Sequence, residues 1–355
     1  MTDRSATPVP ADPRPLSRPT LLPGLRRLWR GRRQLQLGLD PNRAVVLELP
    51  DTATARVLDL LDGTRSEREV LADAARRQIP GDAAALLHEL RRAGLVVSAQ
   101  SLLPKSLSGP ARRRLAGEAA ALALRGGDAP GSPAQRLRRR AAARVVVTGH
   151  GPLLAPVALT LAGAGVGHVW PAPGDPAHPR RRDGTLAELV ARAAPGARTT
   201  PLRRREATFL VQIGAAAPAT LTAAGYAQYR LAHLLVSVRD GTAVVGPLVP
   251  PAGRPCLNCL DLHRRDRDPQ WPALAAQLAG APAGDGEPCT AATVMVAAGL
   301  AAGEVLCWID GGQPHTVGAS IEVNSPAQWR RRSWPPHPRC YCLGRARAAT
   351  GPPPA

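Results

Sequence analysis

The chain has 355 residues, which is enough for two domains with cores of ordinary size. Its formal net charge is +19, but Lys105 is its only lysine, so arginine carries nearly all of the positive charge. Aromatic residues make up 3% of the chain and leave few rings for base stacking, so the composition gives little support to nucleic-acid binding.

The sequence also argues against a membrane protein. The longest apolar run, Ala291–Ile309, is interrupted by Gly299, Gly303 and Glu304, so it predicts a buried helix rather than a membrane span. The first twenty residues are polar and rich in proline, and the chain has six cysteines. We therefore expect a cytoplasmic protein, without membrane association, whose thiols are free for metal.

Residues 21–100 form the first patterned segment, after a tail at 1–20 that we expect to be disordered. Alternating apolar residues predict four strands: 25–30, 34–39, 44–49 and 95–97. Helical spacing predicts three helices: 52–61, 66–78 and 82–93. Ser66 is the expected N-cap of the second helix, and Glu69 completes a capping box. Strands beside three short helices predict a winged helix-turn-helix domain of α+β type.

The third predicted helix is a poor DNA reader. Its polar positions include Asp82 and Glu89, and its two arginines, Arg91 and Arg92, lie at the carboxyl end, where they favour the helix dipole. An exposed apolar strand at 44–49 beside this helix would instead accept an added peptide strand. The pattern therefore favours peptide binding over DNA binding.

Residues 21–99 resemble the peptide-recognition domain of ribosomal-peptide biosynthesis, which is related to the small PqqD-like chaperones. Three stretches carry the resemblance: the turn Gly38-Leu-Asp-Pro, the strand Val45-Val-Leu-Glu-Leu and the closing Leu90-Arg-Arg-Ala-Gly-Leu-Val. In that family the leader of a precursor peptide adds beside the third strand and packs on the third helix. The resemblance implies that the following residues bind a leader peptide here: Ala44, Val45, Val46, Leu47, Glu48, Leu49, Leu86, Leu90 and Arg91.

The remaining chain is predicted to form a linker at 101–140, a second domain at 141–345 and a disordered tail at 346–355. A helix is expected inside the linker over 111–124. The second domain opens with a strand at 145–148, a glycine turn, a helix at 153–164 and a strand at 169–170. This order is typical of a nucleotide-binding βαβ unit, and further strands are predicted at 208–213 and 234–238.

The glycine fingerprint of this βαβ unit is incomplete. Gly149 and Gly151 are present, but Leu154 occupies the third glycine position. The second strand ends in Trp170-Pro-Ala-Pro, where an acidic residue would bind the ribose, and Asp175 is the nearest acid. Gly149 and Gly151 are thus doubtful nucleotide-binding residues, and we expect no ATP cofactor.

Two short cysteine motifs lie about eighty residues apart, Cys256-Leu-Asn-Cys259 and Cys340-Tyr-Cys342. Two close pairs of thiolates are what a tetrahedral zinc site needs, and four protein ligands leave no open position for catalysis. The alternative is four buried thiols that lie close together by chance. We predict a structural zinc ion that ties the carboxyl end of the fold to its middle.

Other polar residues near these motifs have simpler interpretations. His263, Asp266 and Asp268 resemble a hydrolytic cluster, but neighbouring arginines predict an ion-paired turn. His337 is expected beside the metal or as a substitute ligand, Asp261 and Trp271 are expected to fold the loop around it, and Cys289 and Cys307 are interpreted as incidental or core thiols.

The segment from Val245 to His263, the following Arg267-Asp-Pro-Gln-Trp-Pro and the ending His337-Pro-Arg-Cys-Tyr-Cys resemble the ThiF-like protein of thiazole/oxazole-modified peptide pathways. With the first domain, the resemblance covers about residues 21–345. It implies a Rossmann-like α/β domain with a split four-cysteine zinc site. It also implies that a separate YcaO-type protein performs the ATP-dependent step. ThiF proteins themselves activate carboxyl termini with ATP. They use intact glycines, an acid after the second strand and an Arg/Asn-rich motif just beyond it, and residues 170–182 contain no match to that motif.

Three functions stay open from the sequence. The first is a leader-peptide-binding scaffold that presents a precursor to a YcaO-type azoline-forming cyclodehydratase. The second is a ThiF-type ATP-dependent adenylyltransferase, which pyrophosphate release would reveal. The third is a winged-helix DNA regulator, which would show operator binding with a steep salt dependence. The expected partners are a leader peptide, the cyclodehydratase and, in a homodimer, a second copy of the chain.

Overall fold

The computed structural model describes residues 16–41, 43–125, 129–172, 184–203, 205–214, 230–251, 253–280 and 287–342. Within these residues the chain separates into two compact units. The first contains 16–125 and 131–137, and the second contains 129–130 and 138–342. The boundary at 137/138 lies close to the domain start expected at 141. The tail expected at 346–355 and the first fifteen residues lie outside the described residues.

The first unit has five strands and six helical segments. The strands are β1 (Pro19–Leu21), β2 (Arg27–Trp29), β3 (Gln34–Leu37), β4 (Val45–Glu48) and β5 (Val96–Ser98). The helical segments are a 3-10 helix (Thr52–Leu60), α1 (Glu67–Arg76), α2 (Ala83–Arg92), α3 (Ala99–Leu102), α4 (Gly109–Arg125) and α5 (Pro133–Ala142), the last of which continues into the second unit. Strands β2, β3 and β4 form an antiparallel sheet in that order, and β1 pairs with β5.

The local signals in this unit act as predicted. The Ser66 hydroxyl accepts a hydrogen bond from the Glu69 N–H, and the Glu69 carboxylate accepts one from the Ser66 N–H, so the capping box is confirmed. The Asp82 carboxylate caps α2 in a similar way, by accepting from the N–H groups of Ala84 and Ala85. The predicted strands and helices are present, with the segment at 52–60 wound as a 3-10 helix. The winged-helix arrangement itself stays a prediction.

The described chain departs from the expected boundaries at two places. β1 lies partly inside the expected disordered tail, because Pro19–Leu21 pairs with β5, far along the chain. The expected linker contains the helix predicted at 111–124, as α4, and most of α5 as well. Leu115, Ala119 and Leu137 form a small buried cluster there, which gives both helices an apolar contact with the first unit.

The second unit is built on a mixed seven-stranded sheet. Its strands are β6 (Arg144–Gly149), β7 (His168–Ala172), β8 (Phe209–Ile213), β9 (Ala232–Arg239), β10 (Thr242–Val249), β11 (Ala319–Ser325) and β12 (Gln328–Ser333). Their order is β12-β11-β10-β9-β8-β6-β7. The pairs from β7 to β9 are parallel, and those from β9 to β12 are antiparallel. This parallel part fits a Rossmann-like domain.

Apolar side chains cover both faces of this sheet. The helices of the unit are α6 (Leu154–Gly163), α7 (Gly184–Ala193), α8 (Leu257–Arg267), α9 (Trp271–Gly280) and α10 (Ala291–Ile309). On β6, Val145 and Val147 belong to a large buried cluster with α6 and α10, whereas Val146 belongs to a separate cluster that includes Leu257 of α8. This alternation follows from the two-residue period of a strand buried on both faces.

Helix α10 is the one helix in the described part of the chain that is long and apolar enough to cross a membrane. Its Val294, Ala298 and Val305 lie in the large core cluster, and the buried Glu304 carboxylate accepts hydrogen bonds from the N–H and hydroxyl of Thr316. The helix therefore packs as a core element of the second unit, which confirms the prediction of a buried helix.

A buried ion pair joins α5 to the end of α10. The Arg140 guanidinium donates two hydrogen bonds to the Asp310 carboxylate, at 2.9 and 2.7 Å, and a third to the Ala164 carbonyl at 3.1 Å. Both side chains are at most 5% exposed. Two charges in this position stabilise the fold only as a pair.

We expect Asp310→Ala to lower the free energy of unfolding of the second unit by about 3–5 kcal/mol, because it leaves the Arg140 charge buried without its partner. Urea unfolding followed by tryptophan fluorescence measures this, since five of the six tryptophans lie in this unit. The control Asp59→Ala removes an exposed ion pair with Arg27 in the first unit and is expected to cost that unit about 0–1 kcal/mol, measured by far-ultraviolet circular dichroism in the same urea titration. Equal losses in the two variants would contradict a role for burial.

Candidate functional site

Four cysteine sulfurs converge in the second unit. The Sγ atoms of Cys256, Cys259, Cys340 and Cys342 all lie within 4.8 Å of one another. Three of the separations are 3.8 Å for Cys256–Cys259, 3.6 Å for Cys256–Cys340 and 3.4 Å for Cys259–Cys342. A tetrahedron of sulfurs at a metal–sulfur distance of about 2.3 Å has edges of about 3.8 Å. The two motifs thus come together as predicted, at spacings that could hold one metal ion.

Local backbone structure places each pair. Cys256 is the N-cap residue of α8, and its carbonyl accepts a hydrogen bond from the Cys259 N–H at 3.0 Å, so the first pair shares one helical turn. The Cys340 N–H donates to the His337 carbonyl at 2.9 Å and forms the turn that carries the second pair. Cys259 and Cys340 are buried, and the other two are half-buried.

The thiols differ in their tendency to ionise. Burial raises the pKa of Cys256 to about 11 and also raises the pKa of Cys342. The pKa of Cys340 is lowered although burial acts to raise it, because hydrogen bonds from the Cys342 N–H and the Asn258 side chain stabilise its thiolate. A metal ion needs all four thiolates, so its binding would release protons.

Polar side chains link the two cysteine segments around the sulfur cluster. The Asn258 amide donates to the Cys340 sulfur at 3.1 Å. The His337 Nε2 lies 2.8 Å from the Asp266 carboxylate, which also binds Arg339. The Arg339 N–H donates to His337 Nδ1, so this nitrogen is unprotonated and Nε2 donates to Asp266. Both ring nitrogens are therefore used, and His337 supports the site without being a ligand.

The remaining polar residues also have structural partners. Asp266 was expected to pair with an adjacent arginine. Its partners are instead His337 and Arg339, because the second cysteine segment lies against the side of α8 that carries Asp266. His263 Nε2 donates to the Pro335 carbonyl at 2.9 Å, which adds another link. Trp271 donates to Asp261 at 2.6 Å, so these two residues are in contact, and their role in folding the loop around a metal stays a prediction. His337 was expected beside the metal, but its pairing with Asp266 was not predicted, and neither was the part of Asn258, although Asn258 lies inside the first motif.

The predicted peptide-binding strand is the edge strand of its sheet. Among the described residues, β4 pairs with β3 alone. The hydrogen bond from the Leu49 N–H to the Arg33 carbonyl shows which residues point towards β3, because in an antiparallel ladder every second residue does so. Leu47 shares this direction with Leu49. The N–H and C=O groups of Val46 and Glu48 therefore point away from β3, towards the open edge.

The side chains of the predicted groove divide by burial. Val46 and Glu48 are exposed, and Ala44, Val45 and Arg91 are half-buried. The other four, Leu47, Leu49, Leu86 and Leu90, are at most 6% exposed and belong to the core of the first unit. Leu86 and Leu90 were thus wrongly predicted to line an accessible groove. Their helical spacing marks a buried face, and sequence alone cannot separate a groove-lining leucine from a core leucine.

Close packing requires a glycine at one of the two glycine positions in the turn of the βαβ unit. Gly149 has φ +112°, and a Cβ there would lie 1.8 Å from the Ile213 carbonyl oxygen, so the close approach of β8 excludes a side chain. Gly151 has φ +100° and open space around it. Leu154, at the third position, packs against the core. Asp175, the nearest acid after β7, lies outside the described residues.

The described fold is similar to solved structures of E. coli MccB over nearly the whole chain. The structure of MccB with ATP has a TM-score of 0.60 and 14% identity, and covers 91% of this chain and 98% of MccB. The structure of the microcin C7 biosynthetic enzyme MccB with N-formylated MccA gives 0.59 and 15%, with 92% and 99% covered. At this identity, the likeness shows a shared fold.

A heterocyclase in complex with substrate and cofactor has a TM-score of 0.56 and 13% identity. The match covers 89% of this chain but 38% of the heterocyclase chain. No protein-family model and no curated protein sequence matches the chain. At the level of the fold, these neighbours support the ThiF-like resemblance.

We expect the purified chain to contain one metal ion, bound by the four cysteines. Cys259→Ser removes a buried ligand and should reduce the metal content well below one per chain. It should also cost the second unit about 3–4 kcal/mol, which is what a ligand contributes at a hundred to a thousand times its Kd. Elemental analysis and urea unfolding measure the two effects. Cys289→Ser, which lies outside the cluster, should change neither, and a metal-free wild-type protein would contradict the site.

Proposed function

We propose that this chain binds the leader of a ribosomally made precursor peptide and presents the precursor to a YcaO-type cyclodehydratase. The chemistry served would be azoline formation from Ser, Thr or Cys. In this proposal the four cysteines hold a structural zinc ion, since four sulfur ligands suit zinc and leave no position for substrate. The first unit is then the peptide reader, and the zinc stabilises the second unit.

The observation that carries this proposal is the open edge of β4. Val46 and Glu48 offer two N–H donors and two C=O acceptors to an added strand, with no strand beside them in the described chain. Main-chain pairing of this kind provides affinity that depends little on the peptide sequence. The exposed Val46 side chain and the half-buried Val45 and Arg91 could then select among leaders.

The fold neighbours support a role in peptide maturation. MccB has been solved with MccA, and the heterocyclase with its substrate. The part of the heterocyclase that resembles this chain is less than two fifths of that protein. The remaining part of the heterocyclase chain has no counterpart in this chain. This supports a division of work in which a separate partner performs the ATP-dependent step.

The second candidate is a ThiF-type adenylyltransferase, and the MccB complex with ATP favours it. Against it, Gly149 is required by the contact with Ile213 whether or not a nucleotide binds. Leu154 also replaces the third glycine of the fingerprint, which allows close packing of the helix against the strand. We therefore give preference to the scaffold.

The variant Val46→Pro tests the edge directly. Proline removes an N–H that points to the open edge and leaves the β3 ladder intact, so the sheet should fold. Leader binding should weaken at least about tenfold, because the added strand loses a donor and meets the proline ring. Fluorescence anisotropy with the labelled leader segment of the precursor peptide measures the affinity.

A matched control uses the opposite edge of the same sheet. Among the described residues β2 also pairs with β3 alone, and the Arg30 N–H donates to Gln34, so the Trp29 N–H points outwards. Trp29→Pro should therefore leave leader affinity unchanged. If both prolines weaken binding equally, or if Val46→Pro has no effect while the sheet stays folded, the β4 assignment is wrong.

For nucleotide, we expect the wild-type chain to show no ATP–Mg binding tighter than about 1 mM by calorimetry. It should also release no pyrophosphate in the presence of the precursor. The physical reasons are the apolar side chain at Leu154 and the proline-rich end of the second strand of the βαβ unit. Micromolar ATP affinity that is lost in Gly151→Val would instead favour the adenylyltransferase.

A further inference from the structure

The second unit has an exposed edge of its own. β12 is the last strand of the seven-stranded sheet and pairs with β11 alone among the described residues. The Trp334 N–H donates to the Gly318 carbonyl at 3.0 Å, so residues of even number in β12 point towards β11. The backbone N–H and C=O groups of Trp329, Arg331 and Ser333 therefore point away from the sheet.

The side chains along this edge are basic and aromatic. β12 reads Gln-Trp-Arg-Arg-Arg-Ser, and five of its six residues are exposed. Arg332 forms an ion pair with Glu322 of β11 at 2.7 Å. Arg330 and Arg331 form no ion pair with any described residue. The Arg331 guanidinium donates to the His315 carbonyl at 3.4 Å, and Arg330 lies across the ladder from Glu322, whose carboxylate pairs with Arg332. Arg330 and Arg331 thus place two positive charges beside an open row of backbone donors and acceptors.

Trp329 adds an apolar contact surface to this edge. Its side chain is 59% exposed, and its indole N–H already donates to the Pro326 carbonyl at 3.0 Å. The surface that remains is therefore mostly apolar. Tryptophan and arginine are enriched among the residues that dominate binding energy at protein interfaces.

Protection from aggregation and pairing between two copies of the chain fit this edge less well. Charged side chains often protect an edge strand from aggregation, but protection does not require an exposed tryptophan beside them. Antiparallel pairing with a second copy of the chain would bring two stretches of three consecutive arginines together, and like charges across from one another destabilise a sheet. The charge favours an acidic partner.

We propose that the β12 edge binds an extended acidic peptide segment of a partner protein as an added strand. Backbone groups of Trp329, Arg331 and Ser333 pair with the segment. Its carboxylates lie on the face of the sheet that carries Arg330, and its apolar side chains lie on the other face, which carries Trp329. This site lies within the second unit and is independent of leader binding at β4.

The probes are fluorescein-labelled octapeptides titrated into the full-length, metal-loaded chain at low salt. Alternating Glu-Val carries the proposed charge and can form a strand. Alternating Glu-Pro has the same charge but lacks the proline N–H groups that a strand needs. Alternating Lys-Val forms a strand of opposite charge, and an eight-residue oligothymidine tests for nucleic acid. We expect Glu-Val to bind at least about tenfold more tightly than each of the others.

Variants then locate the binding. The double change Arg330→Glu with Arg331→Glu should weaken Glu-Val binding by about tenfold or more, because the direct attraction to Arg330 becomes a repulsion and the edge as a whole loses its positive charge. The matched change Arg112→Glu with Arg113→Glu alters net charge equally on exposed residues of α4 and should have little effect. Arg331→Pro should weaken binding more than Arg331→Ala, because proline also removes an outward N–H. Circular dichroism and metal content confirm that each variant is folded.

Several results would overturn the proposal. Equal affinity for Glu-Pro and Glu-Val would show that charge alone causes the binding, without main-chain pairing at the edge. Tighter binding of oligothymidine would identify a nucleic-acid surface instead. Undiminished Glu-Val binding in the charge-reversed double variant would show that the peptide binds at another place on the protein. If no probe binds, the arginines only protect the edge from aggregation.

Discussion

The convergence of four cysteine sulfurs is the contact on which the second unit most depends. It joins the start of α8 to a segment about eighty residues further along, and so closes a loop that contains α9, α10, β11 and β12. The strands β11 and β12 form the end of the sheet, and only the pairing of β11 with β10 joins them to the other strands. Without the sulfur cluster, this part of the chain would depend on β10 and on the packing of α10. A metal ion held by both segments would lower the entropy of the unfolded chain as well as stabilise the folded one.

Polar contacts around the cluster make this closure specific. Asn258, Asp266, His337 and Arg339 connect α8 to the turn that carries Cys340, independently of any metal. Metal sites commonly rely on such outer contacts to fix the direction of their ligands. These contacts thus hold the two cysteine segments together beside the sulfur cluster.

Each of the two units also has a sheet edge that is open within the described residues. The first unit presents Val46 and Glu48 at the edge of β4, and the second presents Trp329, Arg331 and Ser333 at the edge of β12. The two edges differ in character, since β4 is short and partly apolar whereas β12 is strongly basic. Main-chain groups provide the common means of binding in both, and the side chains give each edge its own choice of partner.

Local sequence was sufficient for features that short-range physics controls. The capping box at Ser66, the buried helix Ala291–Ile309, the βαβ order and the pairing of two cysteine motifs follow from neighbouring residues and spacing. Tertiary structure decided what depends on distant partners. Only the fold shows that Pro19–Leu21 pairs with β5, that Leu90 is a core residue and not part of a groove, and that Asp266 meets His337. The physical reason is that burial and pairing are set by which segments pack together, and a helical or alternating pattern marks an apolar face without telling what covers it.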